Sequence, residues 1–117
     1  MLEGFEKFTK AGGSYKPKIS IRKRGQMGFS NGAVTRYSID DFNYVVLYIS
    51  NDKSKIAIKL TNDEKEEGAI KLVKKEGNFC FSGKAFLDYY DLPYNDTVSY
   101  DTKWSDADKV IVFELSK

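Results

Sequence analysis

The chain has 117 residues, of which 41% are hydrophobic and 15% aromatic, and its formal net charge is only +2. This composition is sufficient for one packed domain and excludes an intrinsically disordered chain. Apolar runs fall short of the ~18 residues that a membrane-spanning helix needs, and the N-terminus lacks the apolar centre of a signal peptide. A single cysteine, Cys80, excludes an internal disulfide and fits a reducing cytoplasm, where we expect the protein, with no membrane partner.

The charge is unevenly distributed along the chain. Residues 1–37 carry eight Lys or Arg against two Glu, a net of +6, whereas the remaining residues carry eleven Lys or Arg against fifteen acidic residues, a net of −4. Such asymmetry can focus a positive potential on one face and attract a polyanion there. A solvated basic end without a partner would give the same distribution.

The predicted elements begin after a loose basic arm, residues 1–18, which glycine and proline interrupt. From Ile19, "ISIRK" alternates as a strand, Gly25 breaks it in a turn that needs positive φ, and "QMGF" resumes an extended run. Ser30 is then predicted to cap a short helix by accepting a hydrogen bond from a helix amide. The runs "YVVLYI" and "KIAIKL" follow as a hairpin across the polar turn "NDKS".

The second half of the chain repeats this order. "AIKLVKK" is predicted to be a strand, Gly77 breaks it, and "NFCFS" leads to a second helix cap at Ser82. "DTVSYDTKW" and "KVIVFEL" then form a hairpin across "SDAD". The sequence therefore predicts two copies of one strand–strand–helix–strand–strand unit.

The units cover residues 19–60 and 69–115 of a single domain, 19–117, and the acidic linker 61–68 joins them. One unit alone is too small to cover both faces of its apolar strands. We therefore predict a mainly β fold with two short helices, in which the pseudo-symmetric units interleave into one barrel-like domain. Apolar positions that match between the units form the predicted core: Phe29, Val34, Val46, Ile58, Phe81, Phe86, Val98 and Phe113.

The stretch "ISIRKRGQMGFSNGAVTRYSI", followed by "YVVLYISNDKSKIAIKL", resembles the swapped-hairpin unit of AbrB-type transition-state regulators. In that family two chains normally each donate one unit to a DNA-binding dimer, and two units within one chain are similar to the MraZ proteins. The resemblance covers Ile19 to Leu115 and implies a transcriptional regulator whose basic strand and glycine turn lie against DNA. Ser30 and Ser82 depart from it, since the family usually has proline there.

The candidate DNA-binding residues flank the two glycine turns and lie on the two helices. Arginine and lysine can contact phosphates or base edges, and glutamine can hydrogen-bond adenine. Glu76 makes the second turn less cationic than the first, so we expect an asymmetric footprint on duplex DNA. A solvated hairpin tip is the alternative interpretation of the first turn. The predicted binding residues are Arg22, Lys23, Arg24, Gln26, Arg36, Lys74, Lys75, Asn78 and Lys84.

Catalytic and cofactor chemistry finds little support in the sequence. "RGQMGFSNG" lacks the Gly-Lys-Ser/Thr that a phosphate-binding P-loop requires. The chain has no histidine, and Cys80 stands between two phenylalanines, which is more typical of a packed residue than of a nucleophile. We therefore predict no enzymatic activity, no metal and no cofactor.

An alternative function follows from the aromatic residues of the second unit, which stand among aspartates. The acidic surroundings disfavour stacking on nucleobases, so core packing or a protein-binding face fits better. The alternative is therefore an interaction or assembly module that binds a partner protein or forms a homo-oligomer through this acidic aromatic face. Its aromatic residues are Tyr89, Tyr90, Tyr94, Tyr100 and Trp104.

Overall fold

The computed structural model describes residues 3–4, 16–75 and 78–115, which form two five-stranded antiparallel sheets and two short α-helices. The first half contains β1 (Lys18–Ile21), β2 (Gln26–Phe29), α1 (Asn31–Arg36), a 3-10 turn (Ile39–Asp41), β3 (Tyr44–Ile49) and β4 (Lys55–Thr61). The second half contains β5 (Ile70–Lys71), β6 (Val73–Lys75), β7 (Asn78–Ser82), α2 (Lys84–Tyr89), β8 (Val98–Asp101), β9 (Lys103–Ser105) and β10 (Val110–Glu114). The strand order is β6-β7-β2-β1-β8 in the first sheet and β5-β3-β4-β10-β9 in the second.

The mainly β fold with two short helices is confirmed, but the strands are arranged as two sheets. Within the described ranges no strand pairing joins one sheet to the other, so the pairings do not close a barrel. Two stretches predicted as single strands divide between the sheets, the first at Leu72 and the second at Thr102. At these bends the Leu72 N–H donates to the Asn43 carbonyl (2.9 Å) and the Thr102 hydroxyl donates to the Pro17 carbonyl (2.8 Å).

The two helices start differently. Ser30 caps α1 as predicted, because its Oγ accepts a hydrogen bond from the Ala33 N–H at 3.1 Å. The prediction for Ser82 is wrong: this residue pairs with Gln26 as the last residue of β7, and Gly83 occupies the cap position of α2 without a side-chain bond. The strand continues one residue further in the second half, so Ser82 pairs through its backbone as part of the strand and does not begin the helix.

A single core cluster draws buried side chains from both sheets and both helices. Five of the eight predicted core residues are buried (Phe29, Val46, Ile58, Phe81 and Phe113), and Val34 and Phe86 are partly buried. Val98 is 39% exposed, contrary to prediction, because it lies on β8 at the edge of the first sheet. The matched pattern therefore identifies the core except at the sheet edge.

The turn between β3 and β4 is organised by one carboxylate. Asp52 Oδ1 accepts hydrogen bonds from the hydroxyls of Ser50 and Ser54, both at 2.7 Å, and from the Ser54 N–H at 3.0 Å. These bonds favour the ionised form, the Ser54 hydroxyl most strongly, and they lower the pKa of Asp52 from 3.8 to about 2.

We predict that this turn weakens in acid. A folded-state pKa below that of the unfolded chain means that the contribution to stability is present above about pH 4 and is lost as the pH falls toward 2. The substitution Ser54→Ala removes the largest cause and should raise the pKa of Asp52 toward its ordinary value. An NMR titration of the Asp52 carboxyl in the wild-type protein and in Ser54→Ala measures the two pKa values. An unchanged pKa in Ser54→Ala would contradict this account.

We also predict that Phe81→Ala lowers the free energy of unfolding by about 3–5 kcal/mol, because it removes a large side chain from a packed interior. Phe81 is 1% exposed, and its ring centroid lies 5.7 Å from that of Phe29. Urea denaturation measures the change. The control Val98→Ala, at the exposed sheet edge, should cost less than about 1 kcal/mol.

Candidate nucleic-acid interface

The cationic turn follows β1 directly and is closed by backbone bonds. The Arg22 N–H donates to the Gln26 carbonyl and the Gly25 N–H donates to the Arg22 carbonyl, both at 2.8 Å. Gly25 has φ +85°, as the predicted turn requires, and Lys23 and Arg24 are exposed at the tip. The matching Glu76 and Gly77 lie outside the described residues.

This turn packs against the start of α2. The Gly83 N–H donates to the Gly25 carbonyl at 2.9 Å. A Cβ on Gly25 would lie 2.7 Å from the Cβ and 2.8 Å from the Cα of Lys84. Glycine is therefore required at position 25 both for its positive φ and for the close approach of α2, and the approach brings Lys84 beside the first turn.

Arg22 lies flat on the first sheet. Its guanidinium occupies the space where a Cβ on Gly28 would stand. The two residues are diagonal neighbours, because Arg22 is bonded to Gln26 and Gly28 is two residues further along β2. Because Gly28 has no side chain, the Arg22 guanidinium can pack against the strand at this point. This explains why position 28 is glycine, whereas the corresponding residue of the second unit is Cys80.

Strand alternation shows which other residues share this face. Ile19 and Ile21 are buried in the core, so Lys18, Ser20 and Arg22 point the other way. The registers Gly28↔Cys80 and Lys75↔Asn78 continue the same face across the sheet. We define the outer face of the first sheet as Lys18, Ser20, Arg22, Gln26, Gly28, Lys75, Asn78 and Cys80.

Three predicted binding residues lie elsewhere or are engaged in other contacts. Lys74 points away from the outer face, and its Nζ donates to the Asp40 carbonyl (2.8 Å) and to Asn43 Oδ1 (3.0 Å). Lys84 pairs with Asp88 at 2.7 Å, and this hydrogen bond raises the pKa of Lys84. Arg36 lines a groove with Lys16 and Pro17, at the end of β1 opposite to Arg22.

Sequence reasoning assigned Lys18 to the arm and left Ser20 and Gly28 out of the site. Lys18 is the first residue of β1, where its Nζ pairs with Asp101 at 3.1 Å. Ser20 Oγ lies 2.8 Å from Ser99 Oγ on the neighbouring strand. The alternation with Ile19 and Ile21 was the signal that could have placed both on the face of Arg22. Of the arm, residues 1–2 and 5–15 lie outside the described part of the chain.

The predicted acidic aromatic face is divided in the structure. Trp104 stacks on Tyr37 with centroids 4.9 Å apart and planes 14° apart, and Tyr100 contacts Phe113 at 5.2 Å. Both pack partly against the core. Tyr89, by contrast, lies on α2 with 80% of its surface exposed, and Tyr90 contacts it at 4.9 Å. Only the part of this face near α2 therefore remains open.

Three general searches, for a metal centre and a membrane-spanning helix among the described residues and for similar proteins, gave no match. In the parts of the chain that are described, no group of three or more His, Cys, Asp or Glu is arranged to hold a metal ion. None of the helices described has the length and apolar character to cross a membrane. Searches against protein-family models, curated proteins and solved structures found no match.

We predict that the two glycines of the site differ in tolerance. Gly25→Ala should cost about 2–4 kcal/mol, because it combines a strained φ with a clash against backbone of α2. Gly28→Ala should change stability by no more than about 0.5 kcal/mol, because the end of the flexible Arg22 side chain can move aside. Thermal unfolding of the two variants measures the difference, and equal losses would contradict it.

Proposed function

We propose that this chain binds duplex DNA through the outer face of the first sheet and the Arg22–Gln26 turn, and that it acts as a transcriptional regulator. The observation that carries the proposal is the arginine seated on Gly28 beside the other cations of this face. A guanidinium packed over a strand presents its N–H groups in a fixed fork that matches phosphate oxygens. In this position Arg22 contacts the phosphate backbone of the DNA, and recognition of the base sequence falls to exposed residues such as Lys23, Arg24 and Gln26.

The shape of the outer face supports this assignment. Its centre carries small residues, Ser20, Gly28 and Cys80, which line up across three strands. Gly28 and Cys80 are themselves buried, so contact with a polyanion falls to the cations around them. Lys18 and Lys75 flank it on β1 and β6, three strand spacings or about 14 Å apart. This separation is comparable with the ~12 Å width of the major groove of B-DNA, so the two lysines suit phosphates on opposite strands.

The acidic linker packs against the second sheet, where its negative charge does not repel a polyanion bound to the first sheet. Lys59 Nζ pairs with Glu66 at 2.8 Å, and a Cβ on Gly68 would lie 3.6 Å from Val46. Lys59 and Val46 both belong to the second sheet. Asp101, which pairs with Lys18, is the acidic residue at the edge of the outer face.

We further propose that the two units are related by an approximate two-fold axis, form a barrel-like whole and are similar to AbrB-type units. The central pair of each sheet joins corresponding strands of the two units, β2 with β7 and β4 with β10. In both halves a strand of the first sheet leads into a six-residue helix. The proposal includes a cytoplasmic location, supported by the free, buried Cys80.

The DNA proposal predicts a loss of binding that depends on where the positive charge is removed. Replacing Arg22 and Arg24 by alanine should weaken binding to duplex DNA and lower the salt slope of log K by about one unit for each lost phosphate contact. Fluorescence anisotropy over a range of salt concentrations measures both quantities.

A matched control removes two positive charges elsewhere. Lys55 and Lys65 are exposed, on β4 and in the acidic linker, and replacing both by alanine should leave the salt slope unchanged. If this pair weakens binding as much as the arginine pair does, net charge alone accounts for the affinity. Absence of binding to any duplex at low salt by the wild-type protein would refute the DNA proposal.

A second candidate function, protein interaction, is favoured by one observation: Tyr89 exposes 80% of its surface on α2. In this alternative the acidic aromatic face docks a partner protein or a second copy of the chain. The two functions use different surfaces, because Arg22 lies on the first sheet and Tyr89 lies at the end of α2.

A further inference from the structure

Helix α2 and its C-cap residue carry three aromatic side chains, of which Tyr90 contacts the other two. Phe86, Tyr89 and Tyr90 stand three and four residues apart, which places them on one side of the helix. Tyr90 meets Phe86 edge-on with centroids 5.0 Å apart and planes at 61°, and Tyr89 meets Tyr90 at 4.9 Å and 81°. Phe86 packs partly against the core and so anchors the row.

The outer end of this row is exposed far beyond the other large apolar side chains. Within the described ranges Tyr89 is 80% exposed, whereas the next large apolar side chain, Tyr48, is 47% exposed. Edge-to-face contact with Tyr90 restrains the Tyr89 ring, so little side-chain entropy is lost when a partner covers it. Exposed tyrosines with restrained rings are typical of recognition surfaces.

Asp91 follows the helix in a position that favours another residue. α2 ends in a Schellman motif, in which the Leu92 N–H donates to the Leu87 carbonyl (2.8 Å) and the Asp91 N–H donates to the Asp88 carbonyl (3.2 Å). Asp91 has φ +57°, where glycine is preferred, and it follows the C-terminal end of the helix, where the carbonyls carry partial negative charge. An aspartate here is less favourable for stability than glycine for both reasons.

The nearby charges leave Asp91 available for a cation. The Asp88 carboxylate is engaged by Lys84 Nζ at 2.7 Å and by the Tyr94 hydroxyl at 2.6 Å. Among the described residues, no Lys or Arg forms an ion pair with Asp91. The surface formed by Phe86, Tyr89, Tyr90 and Asp91, referred to below as the α2 aromatic surface, thus combines aromatic rings with one open negative charge.

We propose that the α2 aromatic surface binds a lysine- or arginine-rich segment of another protein. A cation placed over the Tyr89 ring gains from its electron-rich face, and the same cation or its neighbour pairs with Asp91. The methylene stem of the lysine or arginine covers the apolar ring edges. Residues 84–96 carry one Lys against three Asp, and this local net negative charge complements such a segment. This inference rests on the second function proposed above, protein interaction.

The test is a titration of the full chain, labelled with nitrogen-15, with a short Arg–Gly repeat peptide and with a matched Glu–Gly peptide. Saturable chemical-shift changes are expected at residues 86–92 with the cationic peptide and none with the anionic one. The linker 61–68 is an internal control for charge, because it has four carboxylates and, in place of an exposed row of rings, the half-buried Tyr44, whose hydroxyl donates to Glu64 at 3.4 Å. Shifts in the linker as large as those in α2 would overturn the proposal, since charge alone would then explain binding.

Two variants separate binding from folding. Asp91→Gly should raise the melting temperature by about 2–5 °C, because glycine relieves the positive φ, and should weaken peptide binding about fivefold. Tyr89→Ala should weaken binding by a similar factor, while Tyr48→Ala, which truncates an exposed tyrosine of the second sheet, should leave it unchanged. Undiminished binding by both Asp91→Gly and Tyr89→Ala would overturn the proposal.

Other occupants give distinct results in the same experiment. An uncharged apolar peptide that binds at α2 when the cationic peptide does not would overturn the inference but leave the protein-interaction function standing. Concentration-dependent shifts at residues 86–92 without any peptide would assign the surface to a second copy of the chain and overturn the inference too. If no peptide binds and no self-association occurs, both the inference and the function it rests on fail.

Discussion

The antiparallel pairing of β2 with β7 is the contact on which the rest of the structure depends. It joins the two halves of the chain in the middle of the first sheet and aligns Met27 with Phe81 and Phe29 with Phe79. These side chains enter the core that both sheets share. The same pairing sets Gly25 against Gly83 and so fixes where the cationic turn meets α2. Without it neither half has a complete sheet, and the cationic turn loses its contact with α2.

Local sequence rules identified most elements but not how they are shared between sheets. The Ser30 cap, the positive φ of Gly25 and the β3–β4 hairpin depend on residues close in sequence, and each was predicted. The divisions at Leu72 and Thr102 were missed, because a bend between two sheets leaves the apolar pattern of a strand intact. The predictions of a helix cap at Ser82 and of a buried Val98 were wrong for a similar reason, because the length of a strand and its place at a sheet edge are decided by partner strands distant in sequence.

For the candidate site, the sequence indicated the charges but not their directions. Arg22, Lys23 and Arg24 were expected to act as one group, whereas Arg22 lies flat on Gly28 and the other two extend from the tip. Lys74 and Lys75 are adjacent in sequence but point to opposite sides of β6, as strand alternation requires. The aromatic residues of the second unit separated in the same way, because β8 and β9 turn Tyr100 and Trp104 toward the core while α2 leaves Tyr89 in solvent.

The pairing of strands across the two halves also has a kinetic consequence. β2 and β4 lie in the first half of the chain, and their central partners β7 and β10 lie in the second. In a nascent chain that ends in the linker 61–68, β2 and β4 each lack the partner strand along one edge and expose apolar side chains. No partner is available until the remaining residues leave the ribosome. Sheets formed from such distant segments fold slowly, since closing the long loop must precede the contacts that stabilise it. Residues 1–60 carry eleven Lys or Arg against five Asp or Glu, and this net positive charge repels other nascent chains during the interval, which opposes aggregation of the exposed strands.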